Sequence, residues 1–318
     1  FHEAISWMIQ GVLWISRQSY GMLTIGHVPF LWVLLFYFMT GLWIWKKNGQ
    51  NRHIRISLAY VIMIILIWIP MARRKSLAFL DVGQGDCFVA DTKSGAIIFD
   101  GGSSSEDQVG RYRILPYIKY LGYQKIQIAV ISHMDIDHYS GIKELLEMGK
   151  IKYLGLPEIP KDETMKKIIG IAKKRGTTIF YLSRGRQITT KDGSLKVLHP
   201  QKNSQMEKNA ASLVMQGKIL GYRVLLTGDV EKEGEEELLS EELERADILK
   251  AAHHGSKNST SNEFLQKVQP KQTVISCGKQ NRYGHPHLET IHRLQTYRTK
   301  IYRTDRSGAI IFFKRRDG

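Results

Sequence analysis

Ser132-His133-Met134-Asp135-Ile136-Asp137-His138 places four potential metal ligands directly behind the apolar, strand-like run Ile126–Ile131. Ligand types alternate with large apolar residues up to Asp137, so a tight strand-to-helix turn points them one way. His and Asp at this density favour a divalent ion, and the two carboxylates suit a hard, hydrolysis-competent one. The plain alternative is a polar helix N-terminus in which Asp137 acts as the cap. That accounts for one Asp and for neither His.

Partners for this cluster lie downstream, each at the end of a strand-like run. His199 ends Leu195–Leu198, Asp229 follows Val224-Leu225-Leu226-Thr227-Gly228, and His253-His254 follow Ile248-Leu249-Lys250-Ala251-Ala252. Strand ends on a rigid scaffold are where a metal site can be held accurately. Each has a structural alternative. His199, before Pro200, suits a strand-end hydrogen bond as well as a metal, and Asp229 could cap the acidic helix after it. Neighbouring side chains diverge, so only one of His253 and His254 is expected on the metal. Two metals sharing a bridging Asp would clamp the attacking and leaving oxygens of a displacement.

The chain divides near residue 75. Ile25–Trp45 is 21 residues without Asp, Glu, Lys or Arg, enough to cross a hydrocarbon core of ~30 Å, and Ile56–Ala72 is a second such run of 17. Trp32, Trp43, Trp45, Tyr60 and Trp68 gather mostly toward the run ends, as interfacial aromatics do. With the basic link Lys46–Arg55, the pair reads as a transmembrane helical hairpin. Ahead of it, Ile5, Met8, Ile9, Val12 and Leu13 mark an amphipathic helix. The first run is too long for a signal peptide and is followed by another span. A start at Phe1 and two spans with few neighbours suggest the tail of a larger polytopic protein, missing its N-terminal membrane spans. Lys46, Lys47, Arg52 and Arg55 favour a cytoplasmic link and hence an extracytoplasmic domain, while Arg73-Arg74-Lys75 pulls the other way.

The formal charge is +16, and residues 1–75 hold eight of the 46 Lys/Arg and one of the 30 Asp/Glu. The remaining 38 bases against 29 acids leave +9 on residues 76–318. That excess is compatible with polyanions or anionic lipid without establishing either. Cys87 and Cys277 form no metal spacing and read as two buried thiols rather than a disulfide. From residue 76 onward short strand-like runs alternate with helical stretches, the pattern of an α/β domain with sheets covered by helices.

Taken together, Ser-His-x-Asp-x-Asp-His at 132–138, Leu-Thr-Gly-Asp at 226–229 and His-His-Gly-Ser at 253–256 resemble the metallo-β-lactamase superfamily. Its usual first motif, His-x-His-x-Asp-His, has Asp135 here in place of the second His. Phe79–Asp86, Phe99–Gly102, Asn209–Val214 and Asn281–Pro286 further resemble the C-terminal domain of ComEC-family DNA-uptake channel proteins. The resemblance implies an αββα sandwich over 76–318 with a metal site at one edge of the sheets. It implies one metal on His133, Asp135 and His199, and a second on Asp137, His138 and His254, with Asp229 bridging. The carboxylate at Asp135 favours Mn²⁺, with Zn²⁺ second. Asp137, Asp229, His253 and His254 are the expected catalytic residues. Asn209, Ser212, Ser256, Asn281, Tyr283 and His285 are candidate substrate contacts, with ordinary turn chemistry as the alternative. Asp81, Gln84, Asp86 and Asp100 read as support. The implied function is a metal-dependent nuclease on a DNA-import channel in the cell membrane, degrading the strand that is not imported. Its partners would be DNA, lipid and other competence proteins. The alternatives are a membrane-tethered hydrolase of another phosphodiester and a DNA-binding transport module with little turnover.

Overall fold

The computed structural model describes residues 2–17, 24, 26–45, 54, 57–62, 74–206, 209–241 and 243–315. The chain forms two compact units, one of residues 1–73 with 119–124 and one of residues 74–118 with 125–318.

In the first unit, α1 (His2–Arg17) is the expected amphipathic helix, and α2 (Phe30–Trp45) covers most of the first apolar run. α2 has 16 residues, and among the described residues no helix is long and apolar enough to cross a membrane. The helical hairpin is therefore not seen. Most of its second arm lies outside the described residues, of which 57–62 are helical.

The second unit is a sandwich of two seven-stranded sheets. Its strands are β1 (Ser76–Phe79), β2 (Phe88–Thr92), β3 (Gly95–Phe99), β4 (Ile126–Val130), β5 (Ile151–Pro157), β6 (Thr178–Leu182), β7 (Gln187–Thr190), β8 (Gly193–His199), β9 (Val214–Ile219), β10 (Tyr222–Leu226), β11 (Ile248–Lys250), β12 (Gln272–Ile275), β13 (Lys300–Arg303) and β14 (Ile310–Phe313). The first sheet runs β14-β1-β2-β3-β4-β5-β6 and the second β13-β12-β11-β10-β9-β8-β7. β3 through β6 are parallel, as are β10 through β13, and on the other side of each sheet β14-β1-β2-β3 and β10-β9-β8-β7 are antiparallel.

Strand alternation sorts side chains between layers. Ile97 and Phe99 face inward with Phe79, Phe88, Val197, Met215, Val224, Ile248 and Val274, which together fill the space between the sheets. The intervening Ile98 is fully buried as well. Helices α3 (Ile136–Glu147) and α4 (Glu163–Lys174) bury Ile142, Leu145, Leu146, Met165 and Ile168. Beyond the second sheet, Leu225, Leu249 and Ile275 pack with residues of α5 (Lys232–Leu239), α6 (Asn262–Val268) and α7 (Leu288–Thr296), notably Leu238, Phe264, Leu265 and Leu294. The layers are thus αββα, as the resemblance implied. Cys87 and Cys277 are buried free thiols.

Two glycine-bearing loops fix the start of α3. Asp86 N donates to Asp137 O at 3.0 Å, and Gly101 N donates to His138 O at 2.8 Å. A Cβ on Gly102 would lie 2.5 Å from Ile136 O and 2.6 Å from His138 N, so only glycine allows this approach. We expect Gly102→Ala to destabilise the domain by about 1–3 kcal/mol, the usual cost of overpacking, in denaturant unfolding. Unchanged stability would show that the loop can give way.

Candidate metal centre

Asp137 and His138 belong to the first turn of α3, and Asp135 sits at its N-cap without a side-chain capping bond. A polar cap therefore does not explain the motif. The Asp100 carboxylate holds the turn together. Its Oδ1 accepts from Ser132 N at 2.7 Å, while its Oδ2 lies 3.0 Å from His138 Nδ1. Asp100 itself adopts φ 57°, a left-handed conformation uncommon for non-glycine residues. With Nδ1 engaged, His138 turns Nε2 toward Asp229, 3.2 Å from its Oδ2.

The second sheet supplies the opposite wall. Asp229 follows β10 through Gly228, and its N donates to Ser212 Oγ at 3.3 Å. His253 and His254 occupy a turn beyond β11, both with left-handed backbone at φ 47° and 52°. Consecutive left-handed non-glycine residues cost free energy and cluster where side chains must be aimed. His254 Nδ1 meets Ser276 O at 2.9 Å. That leaves Nε2 3.3 Å from Asp229 Oδ2 and 3.3 Å from Asp137 Oδ2. His253 is a quarter exposed, with Nδ1 2.8 Å from Glu231 and Nε2 3.8 Å from Asp229. Of the pair, His254 is the one aimed into the cluster.

His133 and Asp135 form an adjoining group. His133 Nε2 lies 3.6 Å from Asp135 Oδ2, and its ring centroid is 4.2 Å from that of His138. The Nε2 atoms of His133, His138 and His254 and the Oδ1 of Asp229 are buried and make no hydrogen bond within the protein. Unpaired buried imidazole nitrogens facing carboxylates are costly unless a cation joins them. One ligand atom from each of Asp86, His138, Asp229 and His254 falls within 4.8 Å of the others, and with Asp137 Oδ2 at 3.3 Å from His254 Nε2 the set fits a divalent ion even without Asp86.

Asp86 deserves separation from the rest. It approaches both imidazoles from the Nδ1 side, at 3.7 Å from His138 and 3.5 Å from His254, opposite the face that meets Asp229. It is also paired with the buried Lys250 ammonium, whose Nζ donates to Gly228 O at 3.0 Å and stands 3.6 Å from Asp229 Oδ1. We assign Asp86 a bracing role rather than a place on the metal.

Electrostatics follow this arrangement. Burial alone would raise the Asp86 carboxyl, yet Lys250 and His254 overcome it and bring it down to about 2. Burial would likewise lower His138 and His254. In His138 the Asp229 and Asp100 carboxylates outweigh burial, in His254 Asp229 and Asp86 do, and both imidazoles rise well above their ordinary value. Asp229 is held well below the carboxylate range: burial opposes this, and the two imidazoles prevail.

Several expected site residues lie elsewhere. His199 is outside the cluster: its Nε2 donates to Ala210 O at 2.7 Å, which braces the 209–212 loop, and its Nδ1 lies 3.3 Å from Glu237. Ser212 is fully buried and its hydroxyl serves Asp229 N. Ser256 is buried, with its Oγ accepting from Asn258 N. Asn281 spends its side chain on Gly278 O and on both backbone polar groups of His285. The side chains of these three are hydrogen-bonded within the chain. Asn209 is half-buried, and its carbonyl accepts from Ser212 N. Tyr283 and His285 remain at the mouth, the His285 ring 5.4 Å from His253 and 6.1 Å from His254. Lys250 went unremarked in the sequence, although one Lys inside the buried run Ile248–Ala252 was its signal. Glu231 carried no such mark.

The family model of the metallo-β-lactamase superfamily matches residues 80–279. ComE operon protein 3 of Bacillus subtilis is 33% identical over all of this chain and 44% of its own length. Competence protein ComA of Neisseria gonorrhoeae is 30% identical over 75% of this chain and 32% of its own. The chain therefore spans less than half of these curated relatives. Among solved structures, the metallo-β-lactamase fold protein YhfI of Bacillus subtilis superposes with a TM-score of 0.52 at 13% identity, covering 74% of this chain and 99% of YhfI. At that identity the likeness speaks for the fold.

His138 and His254 stand above their ordinary pKa in the metal-free protein, so at neutral pH they carry protons that a metal must expel. Metal affinity should therefore rise with pH up to the raised pKa values, with protons released on binding. Calorimetric titration of Zn²⁺ or Mn²⁺ at pH 6 and pH 8 in buffers of different ionisation enthalpy checks this. Equal affinity at both pH values without proton release would contradict it.

Proposed function

Since the chain belongs to the metallo-β-lactamase superfamily, in its ComEC-like branch, we propose that residues 76–318 are a metal-dependent phosphodiesterase, acting as the nuclease of a membrane DNA-import protein. The observation that carries this reading is the convergence of the buried His138 and His254 Nε2 atoms on the Asp229 carboxylate beside Asp137, with the His133–Asp135 pair adjoining. On the full protein the domain would degrade the strand that is not imported, on the extracytoplasmic side of the cell membrane, beside other competence proteins.

In this reading Asp137, His138, His254 and Asp229 would hold a divalent ion, and His133 with Asp135 would contribute ligands to a second. Bound ions supply Lewis-acid polarisation of a phosphoryl oxygen and an activated water. The chain's own part is orientation. Asp100 and Ser276 O fix the tautomers of His138 and His254, so that Nε2 of each is free as a ligand. Asp86 and Lys250 brace the far side, and Lys250 offsets one carboxylate charge. The sandwich buries this constellation in a low-dielectric edge, where each fixed charge acts strongly on the charge that develops at phosphorus. With His199 engaged elsewhere, the His133–Asp135 pair offers fewer protein ligands than the other group, and an oxygen ligand at Asp135 favours Mn²⁺ over Zn²⁺.

The test incubates the purified chain with end-labelled single- and double-stranded DNA and Mn²⁺, Mg²⁺ or Zn²⁺, beside Asp137→Ala. We expect cleavage fastest with Mn²⁺ and reduced roughly 100-fold or more in the variant, at or above the 10–100-fold typical of residues that only support a metal site. Hydrolysis of small phosphodiesters without DNA cleavage would redirect the reading to another substrate. DNA binding without turnover under all three metals would overturn the enzymatic reading.

A further inference from the structure

A column of rings leads from the metal centre to solvent. His285 packs against His253 and His254, and the Tyr283 ring stacks nearly parallel on His285, centroids 5.7 Å apart at 20°. Tyr283 is 42% exposed, a large aromatic surface for a loop otherwise built of small and polar residues. The exposed Arg282 guanidinium lies over the Tyr283 ring, 4.8 Å from its centroid, and donates to the Tyr283 hydroxyl at 2.6 Å.

The loop that carries this column is stiff. Asn281 ties Gly278 to His285 through three hydrogen bonds, and Gly284 takes the left-handed φ of 71° that turns the chain between the two rings. The loop is also sewn to the turn bearing His254: His287 N donates to Gly255 O at 3.0 Å, and Lys257 N donates to His287 Nδ1 at 3.1 Å. Tyr283 thus stands at a fixed offset from the phosphate-facing histidines. An exposed ring with an exposed guanidinium on its face is an arrangement suited to a nucleobase, since every base offers a π-face and its phosphate seeks the guanidinium.

We propose that Tyr283 is the stacking platform for an unpaired base next to the scissile phosphate, with Arg282 giving up the ring face to the base and pairing with a phosphate. This rests on the phosphodiesterase reading and narrows it to nucleic acid presenting unpaired nucleotides. Bases inside a duplex are covered on both faces by their neighbours and offer no face to the ring.

The test measures binding of a single-stranded oligodeoxynucleotide carrying 2-aminopurine, read by fluorescence quenching, with an abasic oligomer of equal length as competitor. The full chain, Tyr283→Ala and Tyr283→Phe are compared, and metal-dependent cleavage is followed in the same samples. We expect Tyr283→Ala to lose most of the quenching and to bind the base-bearing strand roughly tenfold more weakly, within the usual range for one stacked base. Its affinity for the abasic strand should be unchanged, and Tyr283→Phe should stay near the parent. Equal losses on both strands, or no loss on either, would overturn the platform. Metal stoichiometry of Tyr283→Ala separates these outcomes from misfolding, and Tyr283→Leu, which keeps bulk without a π-face and should lose the same quenching, carries the test if the alanine variant does not fold. Cleavage by the parent with an unaffected Tyr283→Ala would reject the platform alone. Quenching without cleavage would reject the phosphodiesterase and leave the platform standing.

Discussion

Asp86, Asp100, Asp137 and Asp229 meet at one edge of the sandwich with side-chain exposures of 6, 0, 15 and 4%. Carboxylates at this depth must be neutralised where they sit, because transfer from water costs several kcal/mol for each ion even after relaxation. Lys250 supplies one compensating charge, and the imidazoles of His138 and His254 supply more when protonated. That constraint explains why the loops around the site are locked by backbone hydrogen bonds, left-handed residues and close glycine contacts. It also makes the site a trap for divalent cations, which can replace the protons with the same charge and with directed bonds.

An α/β domain with helix-covered sheets was legible because buried strands read as short apolar runs, such as Ile126–Ile131 and Val224–Leu226, while the αββα order came from the family resemblance. The ligand motifs were legible because they fall at the ends of those runs. Less could be read where tertiary contact decides. β7, Gln187–Thr190, is a polar edge strand whose pairing with β8 alone makes it a strand. α3 begins at Ile136 because backbone N–H groups of the 86 and 101 loops donate to its first turn, a contact no local pattern reveals. His199 had the strand-end position of a ligand, and only the path of the 209–212 loop turns its ring elsewhere. Asn281 and Ser256 looked like polar residues awaiting substrate, but nothing in a sequence tells how many of their hydrogen bonds the chain itself consumes.

The N-terminal segment belongs to a different kind of reasoning. Its uncharged runs are long enough in sequence for membrane spans, and the described helix over the first of them is shorter. The chemistry of the second unit does not depend on that segment, because every residue that converges on the site lies between Asp86 and His285.

The central claim is that the metal takes the Nε2 side of His138 and His254 and that Asp86 stays with Lys250 behind them. Anomalous diffraction from crystals of the chain grown with Mn²⁺, collected either side of the manganese edge, tests it most directly. A peak bonded to His138 Nε2, His254 Nε2 and the Asp229 carboxylate is expected, with the Asp86–Lys250 pair intact and His199 still on Ala210 O. A peak on the Asp86 carboxylate, or one that draws in His199, would contradict it.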